Sequence, residues 1–299
     1  MTDLSSRNII LLLSLAALWG ASFLFIRIAA PEFGPFLTVE LRVAIASVVL
    51  LVYAAIIRSR FSFRQHWKEY IMAGALNAAI PFALITIAEL HLTASTASII
   101  NATTPMFTAL TAWIWFKHHL SMKKWGGMLL GLAGVAILTG WSANLGLPFL
   151  LASLSSLGAA LFYGIAGNYI VKALPGVKPL QLAIGQQIGA SLVLLPFALA
   201  NLPHSAPSLP SIYSVAALAI FCTSLAYLLF FQLLATAGAV KTASVTFLVP
   251  IFGIIWGTLF LDEKIHFTTG LGMLIIFISI ILVTDFKWGR LKQAASKSA

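Results

Sequence analysis

Apolar runs of about twenty residues recur from one end of this 299-residue chain to the other, and that recurrence leaves few folds open. A helical run of this length matches the hydrocarbon thickness of a bilayer. Backbone in lipid must satisfy its own polar groups, so such runs fold as membrane-spanning helices. Composition removes the alternative: at 60% hydrophobic and 9% charged, with a mean hydropathy of +1.00, the chain carries more apolar surface than a soluble core absorbs. The runs predict ten spans, at roughly 8–30, 36–57, 70–91, 95–116, 123–141, 148–171, 179–200, 211–235, 242–261 and 268–286. The first is read as a retained span, because its apolar run is too long for a leader and no Ala-x-Ala site follows it.

The net charge of +10 is a membrane signal rather than a nucleic-acid one, because the basic residues sit in short loops between spans. Fifteen lysines and arginines fall on one side and only Lys264 on the other, with Arg27 and Arg42 inside spans. This split predicts a multi-pass membrane protein with both termini in the cytoplasm. Trp67, Trp141 and Trp288 sit at span ends, as interfacial belt residues do. The single cysteine, Cys222, rules out an intrachain disulfide framework.

The chain repeats itself. Pro31 and Pro175 are 144 residues apart, as are Pro35 and Pro179, and Trp19-Gly20 and Tyr163-Gly164. Pro105 and Pro250 are 145 apart, as are Gly127-Met128 and Gly272-Met273. Each copy holds five spans, and an odd number makes the second copy enter the membrane from the opposite side. The expected fold is therefore an all-α membrane protein of ten helices. It is organised as two inverted five-helix repeats around a central cavity: residues 8–141, residues 148–286, and a basic cytoplasmic tail at 287–299. The stretches Ala94–Phe107 and Ala239–Phe252 are small, hydroxyl-rich and interrupted by proline at matched places. A proline frees a backbone carbonyl that needs polar company, so both should border a water-accessible pathway.

Leu18-Trp19-Gly20-Ala21-Ser22-Phe23, Arg27, Arg42, Ala97 to Pro105 and the helix from Gly127 to Gly134 resemble the first EamA-type domain of the drug/metabolite transporter superfamily. Thr242 to Pro250 with Leu261-Asp262-Glu263-Lys264 resembles the matching part of a second such domain. The resemblance implies a ten-helix inner-membrane carrier, often an exporter of amino acids or similar small metabolites. The superfamily's range leaves a lipid-linked sugar flippase or a nucleotide-sugar-type carrier as the alternative, and a non-transporting sensor or scaffold as a remoter one. The family's acidic residue after the proline helix is Glu263 here; its first-half place falls to His118, a departure from the pattern.

Polar residues inside spans mark candidate sites, since a charge in hydrocarbon costs about 2.5–3.5 kcal/mol. Arg27, Glu40, Arg42 and Glu89 fall at one depth near the outer boundary. They suggest a compensated cluster in which Arg42 reaches Glu89 and Glu40 reaches Arg27. Its role is an outer gate or, through Glu89, a protonatable coupling site; the plainer reading has Arg27 snorkelling and Glu89 capping a turn. In the second half Arg42 maps to Gln186, which predicts an amide-lined inner gate. The resemblance places the spans of Trp19, Phe23, Tyr163, Tyr227 and Phe231 around a central cavity, and with Asn101, Pro105, Gln186, Thr246 and Pro250 these are the candidate cavity residues. Asp262-Glu263 reads as a helix-end link to Lys264 or a solvated loop. Gly127, Gly131 and Gly134 predict a tightly packed fifth helix. The chain contains no Walker loop and no H-E-x-x-H spacing, so no ATP site, metal site or catalytic constellation is expected, and no cofactor. Expected partners are a small-molecule substrate and the lipid bilayer, without nucleic acid; monomer and homodimer both fit.

Overall fold

The structure is a computed structural model that describes residues 6–117, 119–138, 146–238 and 242–284. Eleven helices account for most of them, and no strand occurs among the described residues. They are α1 (Ser6–Phe33), α2 (Pro35–Ile56), α3 (Arg64–Glu89), α4 (Ala94–Asn101), α5 (Thr104–Phe116) and α6 (Met122–Leu138). The second half holds α7 (Leu147–Ala173), α8 (Pro179–Ala200), α9 (Leu209–Ala237), α10 (Val245–Leu261) and α11 (Phe267–Thr284). Seven of these (α1, α2, α3, α7, α8, α9 and α11) are long and apolar enough to cross a membrane, and α10 is a shorter apolar helix. Trp141, Trp288, the 287–299 tail, His118 and Lys241 lie outside the described residues.

The expected span at 95–116 is two helices. The chain turns at Ala102 and Thr103, and Pro105 stands in the first turn of α5, where its missing N–H is no loss. Hydroxyls repair the break. Ser98 Oγ donates to Ser95 O at 2.8 Å, Thr103 Oγ1 to Ile100 O at 2.7 Å, and Thr104 Oγ1 to Asn101 O at 2.7 Å. The last of these satisfies the carbonyl four residues before Pro105, which the sequence reading had assigned to a cavity. The corresponding break before α10 falls at Ser244, and Pro250 lies inside the helix.

α3 and α9 each contain a π-helical turn, at Ala75–Ala79 and Ile220–Leu225, whose first residues are 145 apart. Their causes differ. In α3 Pro81 cannot donate to Asn77 O, and the ladder widens. In α9 Thr223 and Ser224 turn their hydroxyls back five residues, to Leu218 O at 2.8 Å and Ala219 O at 2.9 Å.

Helix ends are tied at two levels. At the end near Ser6, Thr236 Oγ1 donates to Asn8 Oδ1 and Gln181 Nε2 to Arg60 O. At the opposite end, Ser208 Oγ donates to Glu32 Oε1 at 2.8 Å, and Glu263 meets the start of α4. Buried side chains include Ser47, Thr86, Ser156 and Gln187, while the outside carries Val48, Ile56, Leu129, Leu154 and Val171. That distribution suits a bundle whose solvent is lipid.

Close helix contacts depend on glycine, and several recur with the two halves exchanged. A Cβ on Gly20 would stand 2.6 Å from Phe252 Cβ, and one on Gly164 would stand 2.6 Å from the carbonyl carbon of Phe107. Gly164 is 144 after Gly20 and Phe252 is 145 after Phe107. α6 and α11 pack on each other in the same manner: Gly127 against Leu282 and Val283, Gly272 against Leu138 and Gly134. Replacing Gly127 with valine should therefore cost about 1–3 kcal/mol through overpacking. Gly126, whose Cβ would meet nothing within 4 Å, should accept the same change. Thermal unfolding of the two variants in detergent checks this; equal midpoints would remove glycine packing from the account.

Candidate functional site

A cavity of about 430 Å³ occupies the middle of the bundle. It is lined from α1, α2, α3, α4, α5, α7, α8, α9 and α10, and none of its lining residues belongs to α6 or α11. It leans toward the end near Ser6: Ile170, Leu182, Phe231 and Thr246 all lie within about two turns of helix ends on that side. Of the ten cavity residues expected from sequence, Trp19, Phe23, Asn101, Tyr163, Gln186, Tyr227, Phe231, Thr246 and Pro250 line it. Pro105 does not, because the turn before α5 puts Ala102 and Thr104 on the wall instead.

Two polar bridges cross the cavity wall, and each ends on or beside a π-helical turn. Arg42 Nε donates to Thr223 Oγ1 at 2.9 Å, and Asn77 Nδ2 donates to Gln186 Oε1 at 2.9 Å. Gln186 is 144 residues after Arg42, and Cys222, beside Thr223, is 145 after Asn77. The bridges thus start from matched positions, Arg42 and Gln186, and reach neighbouring positions of the two π turns, with a guanidinium in one and an amide in the other. Both belong to the same cavity, not to separate outer and inner gates. A π turn adds a residue to one turn, which swings a side chain out of helical register and aims it at the partner helix. Asn77, Thr223 and Phe82 went unread in the sequence. A lone amide four residues before Pro81 was the available signal for Asn77; the π turn at Thr223 has no comparable mark.

The pairings expected within the charged cluster do not form. Arg42 turns away from Glu89, and its guanidinium carbon stacks 3.7 Å from the centroid of the Phe82 ring. Arg27 Nη1 donates to the backbone carbonyl of Glu89, the last residue of α3, so its charge serves a helix C-terminus rather than Glu40. Glu40 Oε1 accepts from Ser191 Oγ at 2.5 Å across the α2–α8 contact. Both Glu89 oxygens are buried without a hydrogen-bond partner. Equal depth placed these four groups at one level but did not face them toward one another, since side-chain direction follows helix rotation as well as height. Of the four, only Arg42 lines the cavity.

Glu263 takes the largest role that the sequence reading missed. Its carboxylate accepts from Ala94 N at 2.7 Å, Ser95 N at 3.0 Å and Ser95 Oγ at 2.5 Å, capping α4 from the other half of the chain. It is not linked to Lys264. The turn that delivers it has Asp262 in the left-handed region, φ 52° and ψ 30°, and Lys117, 145 residues earlier, adopts the same geometry at φ 52° and ψ 29°. Gly257 leaves room for the carboxylate: a Cβ there would collide with Glu263 Oε2. The cap lies at the end of the bundle farthest from Ser6. Glu263→Ala should lose about 1–2 kcal/mol of stability, and Glu263→Gln, which keeps an acceptor oxygen, should lose less. Thermal unfolding in detergent measures both, and an alanine variant as stable as the parent would show the cap to be idle.

Among the described residues no cluster of three or more histidine, cysteine, aspartate or glutamate side chains could hold a metal ion. The chain is 27% identical over 298 residues to the uncharacterized transporter YvbV of Bacillus subtilis (strain 168), covering 98% of this chain and 95% of the relative. It is 24% identical over 281 residues to the uncharacterized inner membrane transporter YedA of Escherichia coli (strain K12), covering 93% and 90%. A protein crystal structure of matching fold has a TM-score of 0.65 at 17% identity, covering 93% of this chain and 96% of that one. The EamA-like transporter family matches residues 6–140 and again 150–285. With two copies of that domain filling nearly its whole length, the chain belongs to the EamA-like transporter family, as a multi-pass membrane transporter.

Proposed function

We propose that the protein is a secondary carrier of small organic metabolites, working in the direction of export. Its central cavity is exposed alternately to the two faces of the membrane as two inverted five-helix repeats (8–141 and 148–286) exchange roles. The observation that carries this reading is the pair of equivalent bridges, Arg42 to Thr223 and Gln186 to Asn77, meeting on one cavity. A site built twice from sequence-related halves has two related ways of packing, and a ligand that favours each in turn is moved across. The exchanged glycine contacts and the two π turns at matched positions support the same symmetry. The fourth span in the first repeat would be α4 and α5 together, and the break between them belongs beside the cavity because irregular backbone cannot face lipid.

With the termini cytoplasmic, as the distribution of basic residues implies, the cavity leans toward the cytoplasm and the Glu263 cap closes the outer end. This is the loading state of an exporter. Leaving it requires α4 to part from Glu263. The alternative of a lipid-linked sugar flippase is less favoured, because the wall is mostly apolar and Arg42 is the one charge among its described residues.

Counterflow in proteoliposomes loaded with a mixed metabolite pool tests the carrier reading: exchange of at least one pool member is expected, and no exchange of any contradicts it. Orientation is tested in a Cys222→Ser background. Cysteine at the exposed Ser205 should react with an impermeant thiol reagent outside whole cells, and cysteine at the exposed Ser62 should not. Labelling of Ser62→Cys from outside would invert the orientation.

A further inference from the structure

Among the described residues, Arg42 is the one charged side chain on the cavity wall. It is 5% exposed. Thr223 holds one edge of its guanidinium through Nε, and Phe82 covers one face. The two terminal amino groups make no hydrogen bond to the described residues and are not fully enclosed by them. Four of the five guanidinium donors therefore have no partner among the described residues. No described carboxylate lies within 4.0 Å of them. Glu40 is engaged by Ser191, Glu89 is enclosed elsewhere, and neither reaches the wall.

A buried guanidinium with no carboxylate in contact among the described residues is costly in a membrane interior. The remedy that the cavity leaves open is an anion that enters it. The lining also carries Trp19, Phe23, Tyr163 and Tyr227, and the volume suits a small ligand. Resting on the carrier reading above, we propose that the transported substrate is an organic anion with one carboxylate on an aromatic or apolar body, and that Arg42 is its counter-ion in the cavity. A planar carboxylate matches the free fork of the guanidinium in two parallel hydrogen bonds. A phosphate monoester brings close to two charges, and the second meets no further cation among the described lining residues. A free amino acid brings an ammonium group, and no carboxylate on the wall receives it.

The test uses full-length purified protein in detergent at neutral pH, titrated with phenylacetate, 3-phenylpropionate, phenylacetamide, phenethylamine and phenylalanine. The two carboxylates should bind at least about tenfold more tightly than the isosteric amide and the other two compounds. That preference should vanish in Arg42→Gln and survive, reduced, in Arg42→Lys, which keeps the charge but not the fork. If Arg42→Gln fails to fold, the comparison of acid with amide in the parent and in Arg42→Lys still decides. Equal binding of acid and amide, a preference that persists in a folded Arg42→Gln, tighter binding of the amine or the amino acid, or no binding of either carboxylate would each overturn the proposal. Counterflow of the mixed pool keeps the two readings apart. Exchange without any carboxylate preference rejects this inference alone, whereas no exchange of any compound rejects the carrier itself.

Discussion

A backbone amide or carbonyl in hydrocarbon has no water to turn to, and the rest of this structure depends on that. Every departure from regular α-helix has to be repaired by protein or placed beside the cavity. The turn between α4 and α5 is repaired by Ser98, Thr103 and Thr104. The π turn of α9 is repaired by Thr223 and Ser224. The start of α4 is repaired by a carboxylate from the other half, Glu263. Broken helices with repaired backbones let small side chains come close and let polar groups project inward, and that is where the cavity forms.

The two halves are alike in frame and unlike in chemistry. Both carry a π turn, a left-handed residue after the proline helix, and a polar side chain reaching toward the opposite π turn. Yet one bridge is a guanidinium and the other an amide, and the acid that caps α4 has histidine at its matched position in sequence. On the proposed carrier reading, equivalent frames would supply two related packings, and unequal side chains would set how stable each packing is. The capped end, with a charge-assisted bond set on α4, is the firmer closure in the state described here.

Much of this was legible in the sequence, and the reasons differ by feature. Membrane-length helices follow from apolar runs whose length the bilayer sets. Of the nine expected residues that line the cavity, Trp19, Phe23, Tyr163, Tyr227 and Phe231 were legible through the family resemblance, which sets their spans around a centre, and Gln186 and Pro250 through the repeat. What sequence spacing could not supply was rotation about helix axes. Arg27, Glu40, Arg42 and Glu89 share a depth, yet they point to a carbonyl, a serine hydroxyl, a ring face and an enclosed pocket respectively. The π turns were equally hidden, since one extra residue in a turn leaves no periodic trace in an apolar run. Glu263 was misjudged because its partners lie 168 and 169 residues away, beyond any local pattern. The Pro105 reading failed for a local reason: a threonine one residue before the proline serves the freed carbonyl directly.

The central claim is that the two ends of the bundle open and close in opposition around one cavity. Spin labels at His91 and Lys264 straddle the Glu263 cap, and labels at Lys172 and Thr236 stand at the cavity's nearer end; all four sites are exposed. Distance distributions for the two pairs, measured in nanodiscs with and without a saturating transported compound, test this most directly. The account predicts that the His91–Lys264 distance lengthens in the population in which the Lys172–Thr236 distance shortens. Two distances that stay fixed, or that change together in the same sense while transport proceeds, would contradict it.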